Sequence, residues 1–325
     1  MTFIARSTLK KPASGEVIFD GATAYAVGDV ENGIKQMLRQ VTLARLSHGV
    51  RAAGMMRRCL NEALSVARYR RQFGEPVINK PLMQGQLLDM IMPTEQALTA
   101  VFYAASAMRR ADAGDEAGRK ALRIATPLLK MMACRDNVPV ATASMETRGG
   151  LGYIEEWVNA RLVRDAQIGL LWEGTTNMNA LDVITRAVGK EHAEAALLDD
   201  VTGWLDAAEG CPGQLRSRLK QTVSRAIEFA RAVAADKGNE RHCRLAAAGL
   251  YHAQTAALMA AEGAVIGAAG GDARRLLIAR LVLDRRLAPQ DPLKLDESPF
   301  EAEAAELLLS DTPVSLDQAT ALLQR

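Results

Sequence analysis

The chain has 325 residues, 49% hydrophobic, 24% charged and 4% aromatic, long enough for one large or two ordinary domains with a full core. Its 56 alanines and few aromatics argue for closely packed helices and against a β-sandwich or barrel. A net charge of only +2 disfavours a strongly basic nucleic-acid binder, and four scattered cysteines without a CxxC pair suit a reducing cytoplasm rather than a disulfide framework or zinc site.

The opening, MTFIARSTLKKPASG, has no apolar run long enough for a signal peptide. Gly15–Asp20 has a strand pattern, but one strand cannot bury itself, so residues 1–30 read as the remnant of a β-domain. From Glu31 the pattern turns helical. Ile34, Leu38, Val41, Leu46, Val50, Ala53, Leu60 and Leu64 keep helical spacing. The next helix runs from about Pro81 to Arg110, with Pro93 expected to kink it. Another spans about Arg119 to Arg148, interrupted at Pro127 or Pro139 and ended by Gly149, Gly150 and Gly152. Shorter helices follow at about 155–167 and 176–188. Long helices with short loops over residues 31–189 describe an up-and-down four-helix bundle.

Residues 190–325 read as a helical extension, with helices near 191–208, 213–237, 240–269 and 271–287. The turn-rich break APQDPLKLDESPF and two short amphipathic helices close it. The most apolar stretch, Leu245–Gly271, is interrupted by His252, Gln254, Thr255 and Glu262, so it reads as a buried helix and no membrane span is expected. Charge divides unevenly. Residues 1–189 carry 24 Lys+Arg against 18 Asp+Glu, and residues 190–325 carry 16 against 20.

The four histidines (His48, His192, His242 and His252) form no metal-binding or His–Asp pattern, and no Ser or Cys sits in a nucleophile elbow. Two segments stand out. Arg70-Arg-Gln-Phe-Gly74 suits an anion held by arginine beside a planar group packed on Phe73. It equally suits a helix C-terminus with basic residues in its last turn and Gly74 as its C′ residue. The second segment runs from Glu146-Thr-Arg-Gly-Gly-Leu-Gly-Tyr153 through Arg161-Leu-Val-Arg-Asp-Ala166 to Trp172-Glu-Gly-Thr-Thr-Asn177. Its glycines let backbone amides approach a phosphate, or simply stop a helix. Glu173 follows the apolar run Ile168–Trp172 and precedes two threonines that could cap the next helix. It is either a general base or a helix-start carboxylate.

The ordered set RxxFG, GGxGY, RxxRDA and (Y/W)EGT resembles the acyl-CoA dehydrogenase family. The phrases INKPLMQGQLLDM and MxxxGGxGYxEE…WEGTxNMxxLDV resemble most its AidB-like branch, which also carries a C-terminal helical extension. The resemblance spans about residues 14–188 and is architectural beyond. It implies an FAD-dependent oxidoreductase that dehydrogenates an acyl-CoA thioester between its α and β carbons, in truncated or split form. Glu173 would be the catalytic base. Some relatives place that base at the position of Ala44, which cannot serve.

By the same resemblance, Arg70 and Phe73 would contact the FAD of a neighbouring subunit. Glu146, Gly149, Gly150, Thr175 and Asn177 would line the cofactor site, while Arg45 and Gly174 would stand at the substrate. Glu146 replaces the glutamine of many relatives, and a carboxylate there repels phosphate unless protonated or turned away. Nothing in the sequence corresponds to the family's N-terminal helical domain or most of its β-domain. The implied assembly is a homodimer or homotetramer, with a separate N-terminal-half subunit as a further partner and no metal. The alternative is a non-catalytic scaffold or AidB-like nucleic-acid-associated protein retaining the bundle. The acidic extension disfavours nucleic acid, whereas Arg57, Arg58, Arg68, Arg70 and Arg71, crowded at one helix, favour it.

Overall fold

A computed structural model describes residues 2–5, 15–289, 291, 293 and 299–324. The chain separates into two units, residues 1–41 and 42–325. The fold is mainly α, as the alanine-rich composition requires, with helices from α1, Gly33–Tyr69, to α11, Leu316–Leu323.

In the first unit, β1 (Thr2–Ala5) pairs antiparallel with β2 (Gly15–Ile18), with Phe3 opposite Val17. The strand predicted over Gly15–Asp20 pairs with β1 of the same segment. A two-stranded ribbon buries little by itself. Phe19, Tyr25, Val27 and Val30 accordingly stand exposed.

Four helical segments form the bundle: α1, α2 (Pro81–Asp112), α3 (Glu116–Arg148) and the run α5 (Thr176–Leu181), which continues as a π-helical stretch over Asp182–Val188. Their directions follow from side-chain partners. Arg57 of α1 pairs with Glu95 of α2, and Gln86 near the start of α2 bonds Thr147 near the end of α3, so each hairpin is antiparallel. Gly49 and Glu62 of α1 meet Leu129 and Arg148 of α3, so these two run parallel. Arg123 and Lys130 of α3 reach Asp182 and Gly174, which sets the fourth segment antiparallel to α3. This is the up-and-down bundle the helix pattern predicts.

The backbone of α3 stays helical through Pro127 and Pro139, so the interruption expected there does not occur. Each proline removes one amide and crowds one carbonyl, while Pro127 lies buried within a helix whose packed flanks fix its course. The α2 helix likewise continues through Pro93.

The extension packs onto the bundle within the second unit. Its helices are α6 (Glu194–Ala207), α7 (Gly213–Ala235), α8 (Cys243–Ala268), α9 (Arg274–Val282) and α10 (Phe300–Leu309), followed by α11. At the centre lies α8, the apolar stretch predicted as a buried helix, in contact with α2, α5, α6, α7 and α9. Two of its buried polar residues, His252 and Thr255, meet a side chain of α2. Gln96 Nε2 of α2 lies 3.0 Å from His252 Nδ1 and 2.6 Å from Thr255 Oγ1. The break predicted at APQDPLKLDESPF falls largely outside the described residues. Among those that are described, no helix is long and apolar enough to cross a membrane.

Candidate active site

The helix α4 (Val158–Gly169) leads into a turn ending at Glu173 and Gly174, which take φ of 54° and 91°. A non-glycine residue in the left-handed region costs on the order of 1–3 kcal/mol and persists only where its surroundings hold it. Three side chains do so. Arg45 Nε donates to the Glu173 carbonyl at 3.5 Å. Lys130 Nζ donates to the Gly174 carbonyl, where Asn179 Nδ2 also donates at 2.8 Å while reaching the Thr175 carbonyl at 2.9 Å. Thr175 occupies the N-cap of α5, but its side chain accepts no amide hydrogen bond, so Asn179 supplies the tie expected of the threonines.

The neighbourhood of Glu173 is cationic and partly dry. The ring of Trp172 lies 5.5 Å from that of His48. Burial, reinforced by Arg51, holds His48 below its usual range, and the Glu173 carboxylate opposes that shift. Lys130 is 1% exposed. Burial depresses its ammonium, with Cys134 and Glu173 acting against the depression and Arg45 adding to it. Arg45 Nη1 also binds Asp182 Oδ2 at 2.5 Å, and Arg123 binds the other oxygen at 2.8 Å. Burial pushes the Asp182 carboxyl up, yet the two arginines outweigh it and hold the group below the usual carboxylate range. Arg45 therefore braces α1 to the fourth helix and to the Glu173 turn together.

The second group lies where α1 ends and α3 stops. The helix ends at Tyr69, and Arg71–Gln72 (β3) pairs with Glu75–Pro76 (β4) across Phe73 and Gly74, whose φ values are 51° and 86°. Positive φ at both tip residues is the pattern of a type I′ hairpin turn. Gly74 is thus a turn residue rather than the C′ residue of the helix, and Phe73 is displayed at 93% exposure beside the Lys80 ammonium. Arg70 Nη1 donates to the Arg148 carbonyl at 3.0 Å. Gly149 takes φ 70° and ψ −151°, a conformation essentially confined to glycine, and a Cβ there would lie 3.0 Å from Arg70 Nη1.

The loop itself is anchored by Arg148, which binds Glu62 of α1 at 2.6 Å and Asn159 of α4 at 2.9 Å, with its guanidinium over the Trp157 ring. Glu146 and Gly150 are exposed at the same helix end, as are Thr175 and Asn177 beyond Gly174. The structure thus unites Arg45, Glu173 and Gly174 in one group and Arg70 with Gly149 in another. Phe73, Glu146, Gly150, Thr175 and Asn177 present solvent-facing side chains or backbone.

Sequence reasoning passed over Lys130, His48, Asn179 and Asp182. Lys130 left a signal: it is a lone cation in the apolar run LLKMMAC. Asp182 left a similar one in LDVI. His48 and Asn179 have no local signal, because their partners lie across the turn.

Residues 31–189 match the family model described as acyl-CoA dehydrogenase, C-terminal domain. Acyl-CoA dehydrogenase family member 11 of Caenorhabditis elegans is 34% identical over 185 residues, covering 56% of this chain and 30% of that protein. The putative acyl-CoA dehydrogenase AidB of Escherichia coli strain K12 is 35% identical over 191 residues, covering 58% of this chain and 34% of its own. The matches therefore span about a third of these relatives. A crystal structure of Caenorhabditis elegans ACDH-11 in complex with C11-CoA superposes with a TM-score of 0.76 at 25% identity, covering 86% of this chain and 49% of that one. Residues 1–189 make up less than three fifths of the chain, so this likeness reaches into the helices after Gly189. Residues 31–189, which carry the RxxFG, GGxGY and WEGT segments on one bundle, therefore match the C-terminal domain of the acyl-CoA dehydrogenase family.

Proposed function

We propose that this chain contributes the base-bearing bundle of an FAD-dependent acyl-CoA dehydrogenase-type oxidoreductase, completed by the family's N-terminal half. The carrying observation is the Glu173 turn, a left-handed carboxylate-bearing residue tied down by Arg45, Lys130 and Asn179. A carboxylate on so fixed a turn is preorganised to take the α-proton of a thioester. Arg45 and Gly174 support the substrate side of the same turn.

FAD, when bound, supplies the acceptor for the β-hydride. The second group suits such a cofactor in its donor set. Arg70 keeps an exposed guanidinium beside a glycine whose side chain would crowd it, and Phe73 offers an exposed planar face. Gly150, Thr175 and Asn177 complete the set, while Glu146 faces solvent and can turn away from a phosphate. On this reading residues 1–30 belong to the β-domain, 31–189 form the catalytic bundle and 190–325 its helical extension, with the bundle meeting a second copy in a homodimer or homotetramer.

The nucleic-acid reading draws less support. Of the arginines crowded near the end of α1, Arg57, Arg58 and Arg68 pair with Glu95, Glu62 and Asp311, while Arg70 and Arg71 bond backbone carbonyls. A surface that tracks phosphates needs its cations unneutralised.

The test is reconstitution with an N-terminal half of the family and FAD. Glu173→Gln should lower acyl-CoA dehydrogenation by about 10²–10⁴-fold while the flavin spectrum of the complex stays. Full activity in the variant would refute the base assignment, and a complex that takes up no flavin would refute the cofactor.

A further inference from the structure

A groove of about 970 Å³ opens on the extension, far along the chain from the Glu173 turn, between α7 and α8 and beside Arg135 of α3 and Arg286. Its larger apolar lining residues are Leu287 with Phe229 and Leu245, the last two 38% and 64% exposed, and alanines complete it. Four arginines border it: Arg135, Arg225, Arg244 and Arg286.

Their state differs from that of most other described arginines in the extension. Arg218, Arg231, Arg274, Arg275, Arg280 and Arg285 each hold a carboxylate. Among the described residues, Arg225, Arg244 and Arg286 hold none. Arg135 shares its charge with Asp136, Nε to Oδ1 at 3.5 Å, and Glu228 is the carboxylate on the groove itself. Four guanidinium groups therefore face two carboxylates, within an extension that is acidic overall. At the base stands His252, whose Nδ1 is already engaged by Gln96.

Unpaired guanidiniums around an exposed apolar floor leave two uncompensated demands. The cations outnumber their counter-charges, and Phe229 and Leu245 lack a cover. One ligand class answers both, and the volume lies within the range of small-molecule sites. We propose that this groove binds an amphiphilic anion, with an alkyl or planar body over Phe229 and Leu245 and a phosphate or carboxylate head among Arg225, Arg244 and Arg286. The site is separate from the acyl-CoA and FAD sites proposed above and does not depend on them.

Titration calorimetry of the full chain tests this, using dodecyl phosphate and laurate below their micelle concentrations. Inorganic phosphate and dodecyl maltoside serve as head-only and tail-only controls. At least one anionic amphiphile should saturate a single site, with both controls about tenfold weaker or more, and the tighter of the two identifies the head. Arg244→Gln with Arg286→Gln should weaken binding about tenfold or more, as expected for lost charge-assisted hydrogen bonds. Thermal stability at neutral pH should change little, since among the described residues neither side chain makes an ion pair or hydrogen bond. Leu245→Gln should weaken binding of the amphiphile but not of phosphate, and Glu173→Gln should leave it intact. Inorganic phosphate binding as tightly as dodecyl phosphate would overturn the proposal in favour of a bare anion site. A short DNA duplex bound with steep salt dependence, and lost in the double arginine variant, would overturn it in favour of a nucleic-acid surface. Absence of saturable binding would end it outright.

Discussion

The two segments flanking the bundle treat apolar side chains in opposite ways. In the first unit Phe19, Tyr25, Val27 and Val30 are exposed, and so are Ile34 and Met37 on the opening turns of α1. In the extension, α8 buries Leu250, Tyr251, Leu258 and Met259 almost completely. The extension also ties its polar groups to the bundle. Arg275 of α9 binds Glu95 of α2 and Glu262 of α8, and Asp200 of α6 accepts from Tyr103 and Arg110 of α2. Both segments have apolar residues at regular spacing. The difference lies within each segment: the extension has several helices to pack together, whereas a two-stranded ribbon and one helix start bury little by themselves. The single helix α1 shows the same contrast along its length, since Ala52, Met56, Leu60 and Ala63 are buried.

Substitutions can break or sharpen this contrast. The largest effect is expected at Met56, fully buried on the packed part of α1. Met56→Ala should cost about 2–5 kcal/mol in denaturant unfolding. Ile34→Gln on the bare part should cost less than about 0.5 kcal/mol. Equal costs at the two positions would show that the early turns of α1 are packed as tightly as the later ones.

Acid should act next, through the seam between α2 and α8. Burial foremost, with Arg286 and Arg135 adding, pushes His252 down to about 3. Its ring is therefore neutral in the folded state while the unfolded chain takes up a proton below about pH 6.5. Stability should be complete above that value and fall as pH drops through it, by about 2 kcal/mol at pH 5. The depressed His48 acts in the same direction. In His252→Gln the slope between pH 6.5 and 5 should shrink, as urea midpoints across that range would show. An unchanged slope would remove His252 from the account.

A smaller gain is expected at Gly54, an exposed glycine within α1 whose added Cβ would meet nothing within 4 Å. Gly54→Ala should raise stability by about 0.5–1 kcal/mol. At Gly49, one turn earlier, a Cβ would lie 2.4 Å from Leu129 Cγ. Alanine there should instead lower the melting temperature, because helices α1 and α3 would have to move apart.

Much of this architecture was legible in the sequence. Helical spacing placed α2 from Pro81 and α7 from Gly213, where the structure also begins them. The four-segment family signature pointed to the bundle. Punctuation was less legible. Proline read as a break because local rules count its lost amide, yet α3 passes two prolines, one of them buried in its core-facing flank. A helix stop was one of two readings of Gly74, because the hairpin that uses it depends on Arg71 and Gln72 pairing with Glu75 and Pro76.

The site divides in the same way. Residue type and order were enough to single out Glu173, Gly174, Arg70 and Gly149, since a carboxylate, a guanidinium and a glycine each carry their chemistry with them. What holds them was not readable along the chain. Arg45 and Asp182 are 137 positions apart, and Lys130 reaches a carbonyl 44 residues away. Local periodicity records which face of a helix is apolar, but pairing across helices depends on how those faces are stacked. Only the packed bundle brings a buried lysine and an ion-paired arginine to the same strained turn.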